Sequence, residues 1–480
     1  MSPASRAAIA LSLMVGFYLL AVGLGIALLW IAWVAASAGS AAGIKVAFAA
    51  GFGGGSLLLS LRPRRDTFVP PGPRVERETQ PQLFDVLEHV SGASGQAMPR
   101  EVYIAPDVNA SVMTRGGILG IGGHRVMILG LPLLHVLTVD QLKAVLAHEF
   151  GHYGGGDTRV GRLVYHTRVS IGRSLTAVEG RWMAVVLAWY GTFVMRVSMA
   201  SARQQEFAAD AFAARATSRD DMTDSLKRLD GVGHHFPIYY GLSVVPTLQA
   251  GYRPPIGRGF ASYCDLISQA PDAIEETHES SAEDRAYDSH PPTEARIAAL
   301  EALGPHGSRG GDRRPACDLL AHSAALEAQL YDYDSGHYRK LRPIEWADVT
   351  ERVMLPLWRD LVWKQRNALK NISIEALPTS IEEVIKAGRE SSDPRIKFMA
   401  DPEVFQRTIN AISAAVTLRL VDAGWAPAKA PSDGSTLVKD TESVQPTMRV
   451  YRIAFGLDPL ADWSDFCRQA GVSGPLAAGS

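Results

Sequence analysis

Cysteine is scarce in this chain. Three of the 480 residues are cysteines, Cys264, Cys317 and Cys467, and no two of them form a Cys-x-x-Cys pair. This spacing argues against both a disulfide framework and a thiolate zinc site, and it fits a reducing compartment.

An excess of either charge is also missing. The 48 lysines and arginines nearly balance the 50 aspartates and glutamates, which leaves a formal net charge of -2. The sequence contains no basic stripe with interleaved aromatic residues. Because proteins that bind nucleic acid need positive charge against the phosphates, we expect no nucleic-acid partner.

The N-terminal region lacks charge altogether. No charged residue occurs between Ala7 and Ile44, and this apolar run exceeds the ~20 residues that cross a bilayer. A second, glycine-rich run continues to Leu61, and Lys45 can extend to the membrane surface. We predict two membrane spans, at about residues 8–34 and 42–61. A cleavable signal peptide is the alternative, but its apolar core is only about 7–15 residues long.

Charges at the ends of the two runs orient this hairpin. Arg6 precedes the first run, Arg62, Arg64 and Arg65 follow the second, and the connection 36–42 carries no charge. Positively charged flanks stay on the cytoplasmic side of a membrane. We therefore expect a multi-pass protein of the inner cell membrane whose remaining chain faces the cytoplasm.

The motif His148-Glu149-Phe150-Gly151-His152 carries the strongest chemical signal. On a helix, residues four apart share a face, so His148 and His152 can bind a single zinc ion. Glu149 lies about 100° around the helix, close enough to act as general base on a water at the metal. Chance predicts only about 0.02 such motifs in a chain with 13 histidines. The alternative is a polar helix face with satisfied histidines.

Helix signals surround this motif. Thr138 and Gln141 form the pattern of a capping box, which starts a helix. The run 142–153 contains no proline, and the glycines 154–156 end it.

A small sheet is predicted upstream of the motif. An amphipathic helix at 83–90 precedes three short strands, at 100–105, 108–113 and 124–129. The edge strand of such a sheet can pair with an extended peptide and hold its scissile bond over a metal.

An apolar stretch, Trp182–Met195, follows the motif. A single crossing here would place the downstream residues on the opposite side of the membrane from His148. Residues 159–173, where a partner span would lie, contain four arginines. We therefore expect no crossing, and a buried or membrane-grazing helix instead.

Glu206 and Asp210 are candidates for completing the site. They are four residues apart in an alanine-rich segment that reads as a helix, so they share a face. Glu206 would give a His-His-Glu site with a fourth position open to water, and Asp210 would accept a hydrogen bond from a ligand imidazole. A solvated acidic face of a surface helix is the alternative.

At this point the sequence resembles a known family. The motif at 148–152, the Glu-Phe-x-Ala-Asp pattern from Glu206, the segment 288–292 with Arg296, and Asn109-Ala110 occur in the order typical of HtpX-like and CAAX-prenyl-protease-like membrane zinc metallopeptidases. The resemblance covers roughly residues 70 to 302. HtpX-like members often carry two further spans after the zinc helix, which we do not expect here.

The resemblance implies a gluzincin site with one zinc ion per chain. The zinc ligands would be His148, His152 and Glu206, with Glu149 as the catalytic base and Asp210 supporting the ligands. It further implies that His290 and Asn109 meet the substrate or the developing oxyanion. A simpler interpretation of His290 is a helix cap before Pro291-Pro292.

We thus predict an α+β fold that is mainly α. It comprises a transmembrane hairpin (1–66), a gluzincin-type zinc peptidase domain with a small β-sheet (67–303), a Gly- and Arg-rich linker (304–314), and a helical accessory domain (315–480). In the last region Pro356 should split a helix, and an acidic segment, 272–288, should be an exposed loop.

The predicted function is membrane-anchored, zinc-dependent hydrolysis of peptide bonds in membrane-associated or misfolded proteins. The alternative is a membrane-anchored binding or assembly factor with a latent or structural zinc site and a protein partner on its C-terminal domain. An intact Glu149 favours the enzyme, because a structural site needs no base beside its ligands. Prenyl-protein processing is a narrower possibility, although two spans cannot enclose a large membrane chamber.

Overall fold

The computed structural model describes residues 3–61, 68–116, 123–154, 171, 182–268, 291–333, 338–391, 393–427 and 436–477. Helices dominate, and the largest sheet has four strands. The predicted mainly helical α+β fold is confirmed at this level.

Two long apolar helices form the N-terminal hairpin, α1 (Pro3–Ser37) and α2 (Ala41–Ser60). The Ser40 hydroxyl starts α2 by accepting a hydrogen bond from Gly43 N at 3.0 Å. The helices approach closely, since a Cβ at Gly54 would lie 2.8 Å from the carbonyl oxygen of Gly25. Within the described residues, 15–37 and 41–60 are long and apolar enough to cross a membrane, in agreement with the predicted spans.

The four-stranded sheet comprises β1 (Arg74–Val75), β2 (Glu101–Ala105), β3 (Ala110–Arg115) and β4 (His124–Gly130). Its order is β1-β2-β4-β3, with β2 parallel to β4 and β3 antiparallel to β4 at the edge. The three predicted strands are confirmed, although the second begins two residues later than expected.

Helices cover the inner face of this sheet, where Val102, Ile104, Met127 and Leu129 are buried. The helices of this part of the chain are α3 (Pro81–Ala93), α4 (Leu131–Val136), α5 (Val139–Gly154), α6 (Trp182–Ala216), α7 (Arg219–Gly233), α8 (His235–Tyr239), α9 (Val245–Gln249), α10 (Ile256–Ser268), α11 (Thr293–Ala302) and α12 (Ser323–Tyr333). A short parallel pair joins β5 (Tyr252–Arg253) to β6 (Arg342–Pro343). One apolar core runs from β1 to α12.

The predicted linker at 304–314 is firmly attached to this core. We call residues 306–316 the strap. Its backbone bonds to the first turn of α5, where Val139 N donates to Arg314 O at 2.9 Å, and to that of α7, where Arg219 N donates to His306 O at 3.0 Å. The core then continues through Ala316 to Tyr331. It therefore includes residues on both sides of the predicted linker.

A second apolar core lies further along the chain, between Leu369 and Ala477. The short helix α13 (Trp346–Val349) still belongs with the first core, against which Trp346 packs. The second core is formed by α14 (Leu355–Lys364), α15 (Arg366–Leu369), α16 (Ile381–Arg389), α17 (Asp401–Asp422), α18 (Pro446–Ala454) and α19 (Leu460–Ala470). Pro356 is in the first turn of α14, where a π-helical turn at 350–354 interrupts the regular α-helix without ending the helical chain. A three-stranded sheet, β7 (Ala426–Pro427), β8 (Leu437–Lys439) and β9 (Glu442–Val444), lies between α17 and α18.

Candidate metal centre

The helix α5 begins at the predicted capping box. Thr138 N donates to Gln141 Oε1 at 2.9 Å, and Gln141 N donates to Thr138 Oγ1 at 3.3 Å. Two of the otherwise unpaired donors at the helix start are thereby satisfied. The strap adds a third contact, because Asp312 N donates to Asp140 Oδ2 at 2.6 Å. The start of the motif helix is therefore held by its own capping box and by the strap.

Gly151, the glycine of the motif, lets α5 and α6 approach each other. A Cβ at this position would lie 3.1 Å from both Ala209 Cα and Phe212 Cδ1. Such distances are tighter than ordinary van der Waals contact. The missing side chain thus brings Glu206, on α6, to the two histidines.

Three predicted ligands converge. His148 Nε2 and His152 Nε2 are 3.1 Å apart, and each lies 3.5 Å from an oxygen of Glu206. Ligands about 2.0–2.1 Å from a tetrahedral ion are separated by roughly 3.3 Å. The observed separations are close to this value, with each histidine facing a different oxygen of Glu206. Two imidazoles with one carboxylate are a donor set that zinc accepts. Within the described residues this is the one such cluster of metal-binding side chains.

A buried ion pair supports these ligands from behind. His148 Nδ1 is 2.9 Å from Asp210 Oδ1, so the carboxylate can accept the proton of this ring nitrogen. Arg296, on α11, in turn donates two hydrogen bonds to Asp210, at 2.6 and 2.8 Å. The same guanidinium is 3.6 Å from Glu206 Oε2. One arginine therefore contacts both carboxylates of the cluster.

The electrostatics of the site follow from this arrangement. Burial alone would lower the pKa of His148, but Asp210 and Glu206 outweigh it and raise that pKa to about 9. Burial alone would raise the pKa of Asp210, yet the hydrogen bonds from Arg296 and His148 lower it. Glu149 is half-buried, and its negative charge contributes to raising the pKa of both His148 and Arg296. The carboxylate behind His148 is therefore held in its charged form by its two partners.

Comparison with known proteins adds a family to this geometry. A model of peptidase family M48 matches residues 77–303, which include the motif, Glu206 and Arg296. This region is similar to peptidase family M48, and we call it the M48 domain for brevity. M48 peptidases are metallopeptidases, so the converging ligands and the family agree.

The relatives of this region are all described as proteases. Protease HtpX of Stenotrophomonas maltophilia (strain R551-3) is 28% identical over 280 residues, which cover 52% of this chain and 84% of the relative. Protease HtpX of Xanthomonas campestris pv. campestris (strain B100) is 27% identical over 281 residues, with 52% and 83% covered. Protease HtpX homolog of Tropheryma whipplei (strain Twist) is 25% identical over 249 residues, with 48% and 75% covered. No solved structure matches the chain.

These matches confirm the resemblance to HtpX-like metallopeptidases. Together with the two apolar helices they support a membrane protease. The M48 match ends at residue 303, so the second core lies outside the matched region.

The two further predicted site residues are Asn109 and His290. Asn109 is exposed immediately before the edge strand β3, and its carbonyl oxygen accepts a hydrogen bond from Gly130 N at 2.7 Å. His290 lies outside the described residues, as does the acidic segment 272–288. The roles of both residues therefore stay predictions.

Arg296 lies in the matched region, but its role could not be predicted from the sequence. It belonged to the motif that suggested the family, but its partner could not be inferred from spacing. Asp210 is 86 positions away, so only the packing of α11 against α6 joins them. The available signal was a lone arginine that followed a His-Pro-Pro segment at helical spacing.

Proposed function

We propose that this chain is a membrane-anchored zinc endopeptidase whose ligands are His148, His152 and Glu206 and whose general base is Glu149. The observation that carries the proposal is the convergence of two imidazoles and one carboxylate: the two Nε2 atoms are 3.1 Å apart, and each lies 3.5 Å from an oxygen of Glu206. The M48 match supports it independently, because it rests on sequence rather than on geometry.

Each residue has a defined task in this proposal. Zinc, when bound, supplies a Lewis acid that makes a water more acidic and polarises a peptide carbonyl. The Glu149 carboxylate takes a proton from water and delivers it to the leaving amide nitrogen. Asp210 holds the Nδ1 proton of His148 and so keeps Nε2 directed at the metal. Arg296 keeps Asp210 ionised.

The edge strand β3 supports a peptide substrate. It pairs with β4 on one side, and it packs near the motif helix α5. An extended peptide that paired with this edge strand would run past the metal ligands. Asn109, at the start of this strand, and His290 are the residues that we assign to the substrate carbonyl.

The topology follows from charge. The arginines that flank the hairpin place the M48 domain on the cytoplasmic side, in the inner cell membrane. Substrates would then be peptide segments of membrane-associated or misfolded proteins on that side.

The test compares the full-length protein with its Glu149→Gln variant in detergent. Wild type should bind one zinc ion per chain and cleave casein, and a chelator should abolish cleavage. Glu149→Gln should bind the same amount of zinc but lose about three orders of magnitude in cleavage rate, since general-base catalysis contributes about 10²–10⁴-fold. Metal analysis and fragment mass spectrometry measure the two outcomes.

His148→Ala is the matched control, since it should lose both zinc and cleavage. Undiminished cleavage by Glu149→Gln would refute the assignment of the base. Wild type that binds zinc but cleaves neither casein nor a membrane protein would favour the alternative of a binding factor with a latent site.

A further inference from the structure

The three metal ligands that we assign come from two helices, α5 and α6. His148 and His152 are on α5, Glu206 is on α6, and the two helices touch where Gly151 meets Ala209. The distance between the histidines and the carboxylate therefore depends on how these helices are held against each other. Because an α-helix moves nearly as a rigid element, a contact at its end can change the position of a ligand further along it.

The strap contacts one end of each of these helices. At the end of α6, a Cβ on Gly307 would lie 2.1 Å from the carbonyl oxygen of Thr217, and the φ of this glycine is +67°. At the start of α5, a Cβ on Gly310 would lie 2.2 Å from the carboxylate of Asp140. Real Cβ contacts are essentially never that short. The two glycines thus allow the strap to lie directly on both helix ends.

Buried carboxylates anchor the strap to the helices. The side chain of Asp140 is 5% exposed, its Oδ2 accepts a hydrogen bond from Asp312 N at 2.6 Å, and its Oδ1 is 2.8 Å from Lys143 Nζ. Asp221, in the first turn of α7, is buried as well and accepts a hydrogen bond from Gly310 N at 2.8 Å. A buried carboxylate that loses its donors is costly, so both side chains favour the docked strap.

We propose that the strap is a positioning element of the metal centre, and that strap docking and zinc binding stabilise each other. The strap holds α5 at Asp140, about 12 Å along the helix axis from His148, and it holds α6 at its end, about 16 Å from Glu206. Because coupling between two equilibria is reciprocal, zinc strengthens docking by the factor by which docking strengthens zinc binding. This inference takes the zinc site from the proposed function but does not depend on hydrolysis.

The strap belongs to the part of the chain beyond the family match, which ends at residue 303. It continues directly into Ala316 and the residues that lead to α12. A binding partner that displaced the strap would therefore lower the zinc affinity. The coupling gives the later part of the chain a physical connection to the metal centre.

The first experiment compares two neighbouring glycines of the strap in the full-length protein. Gly310→Ala places a methyl group against Asp140, so either the strap or the carboxylate must move, and their contact is lost. The zinc affinity, measured by competition with a chelating dye, should fall about tenfold. Gly311→Ala is the matched control and should keep the zinc affinity of wild type, because among the described residues nothing lies within 4 Å of a Cβ there. Equal affinities of the two variants would overturn the inference.

The second experiment needs no substitution. Amide hydrogen exchange of wild type is measured with zinc and with a chelator. The strap amides of Gly310 and Asp312 should exchange about tenfold more slowly with zinc, and this factor should match the loss of affinity in Gly310→Ala. Amides of α17, in the second core, are the control and should not change. Strap exchange that is the same with and without zinc would overturn the inference, even if Gly310→Ala failed to fold.

The third experiment separates positioning from a general loss of stability. Cobalt(II) replaces zinc, because its visible absorption reports the geometry of its ligands. At saturating cobalt, the spectrum of Gly310→Ala should differ from that of wild type. Ile412→Ala, which removes a fully buried side chain of the second core, should leave the spectrum unchanged. Identical spectra for wild type and Gly310→Ala would overturn the inference, whereas a wild type that binds neither metal would contradict the proposed function instead.

Discussion

The two cores of this chain bury different kinds of polar group. In the described residues, every buried charged or histidine side chain belongs to the first core and its surroundings: Glu101, Asp140, His148, Glu206, Asp210, Asp221, Arg296 and Glu327. The buried polar groups of the second core are neutral: Gln365, Thr408, Ser413, Thr417 and Thr436. The first core and its surroundings bury neutral polar groups as well, such as Ser225 and Thr247.

This difference indicates that the chemically active groups lie in the first core, whereas the second core is structural. A buried charge is costly unless it is paired, so it persists where pairing or function retains it. Asp210 has Arg296 and His148 as partners. In the second core, Thr408 and Thr417 merely donate to carbonyl groups four residues earlier in their own helix. The chemistry of the molecule is therefore concentrated before residue 332.

The strongest way to break the comparison is to remove one buried charge. Arg296→Leu leaves Asp210 without its main partner, which costs about 3–5 kcal/mol in the free energy of unfolding, and it should weaken zinc binding about 10–100-fold. Arg296→Lys keeps the charge but loses the bidentate geometry, so it should recover part of the zinc affinity. Competition with a chelating dye measures the affinity. Arg395→Leu, at an exposed arginine near the second core, is the control and should change nothing.

The buried charges also predict how zinc binding depends on pH. Because the pKa of His148 is raised to about 9 in the metal-free protein, zinc must displace a proton at pH 7.5. Zinc affinity should therefore fall about tenfold for each unit of pH below 9. The free energy of unfolding of the metal-free protein should depend on pH in the opposite sense. The contribution of protonated His148 is complete below about pH 6.5 and is lost as the pH rises through 9.

Calorimetric titration in two buffers with different ionisation enthalpies checks the first statement. Release of about one proton per zinc is expected, and Asp210→Asn should reduce it. A zinc affinity that does not change between pH 7 and 8.5 would contradict the raised pKa.

The smallest effect on activity is expected in the second core. Ile412→Ala removes a fully buried side chain there and should cost about 2–5 kcal/mol in that region. Zinc affinity and casein cleavage should nevertheless stay within about twofold of wild type, since no buried charge is lost. Leu146→Ala, at an equally buried position of the motif helix, is the contrast and should lower both. Loss of cleavage in Ile412→Ala would show that the cores are coupled.

Local signals made the metal site predictable. The motif His148 to His152, the capping box at Thr138, and the pair Glu206 and Asp210 are each defined within one helical segment, where spacing alone fixes the face. The membrane hairpin was equally accessible, because length and apolarity are sufficient to identify it.

Features that depend on distant contacts were not accessible. The strap was predicted to be a linker because glycine and arginine suggest an exposed chain, whereas its hydrogen bonds go to helix ends more than 80 positions away. The small sheet of the second core was hidden in a polar segment whose turn contains Asp440 at φ +53°, a conformation that sequence patterns rarely reveal. The pairing of Arg296 with Asp210 is of the same kind.

The strap also determines how short a working fragment can be. A fragment that ends at residue 303, where the family match ends, would remove backbone partners from the first turns of α5 and α7, and it would leave Asp140 and Asp221 short of hydrogen-bond donors. It would also omit α12, whose buried Glu327 accepts a hydrogen bond from Gly257 N at the start of α10. A polypeptide that continues past residue 354 keeps these contacts and also the apolar cluster of Ile344, Val349, Val353 and Met354 beside Tyr252. A fragment for expression should therefore end after the packed core rather than at residue 303, where the family match ends.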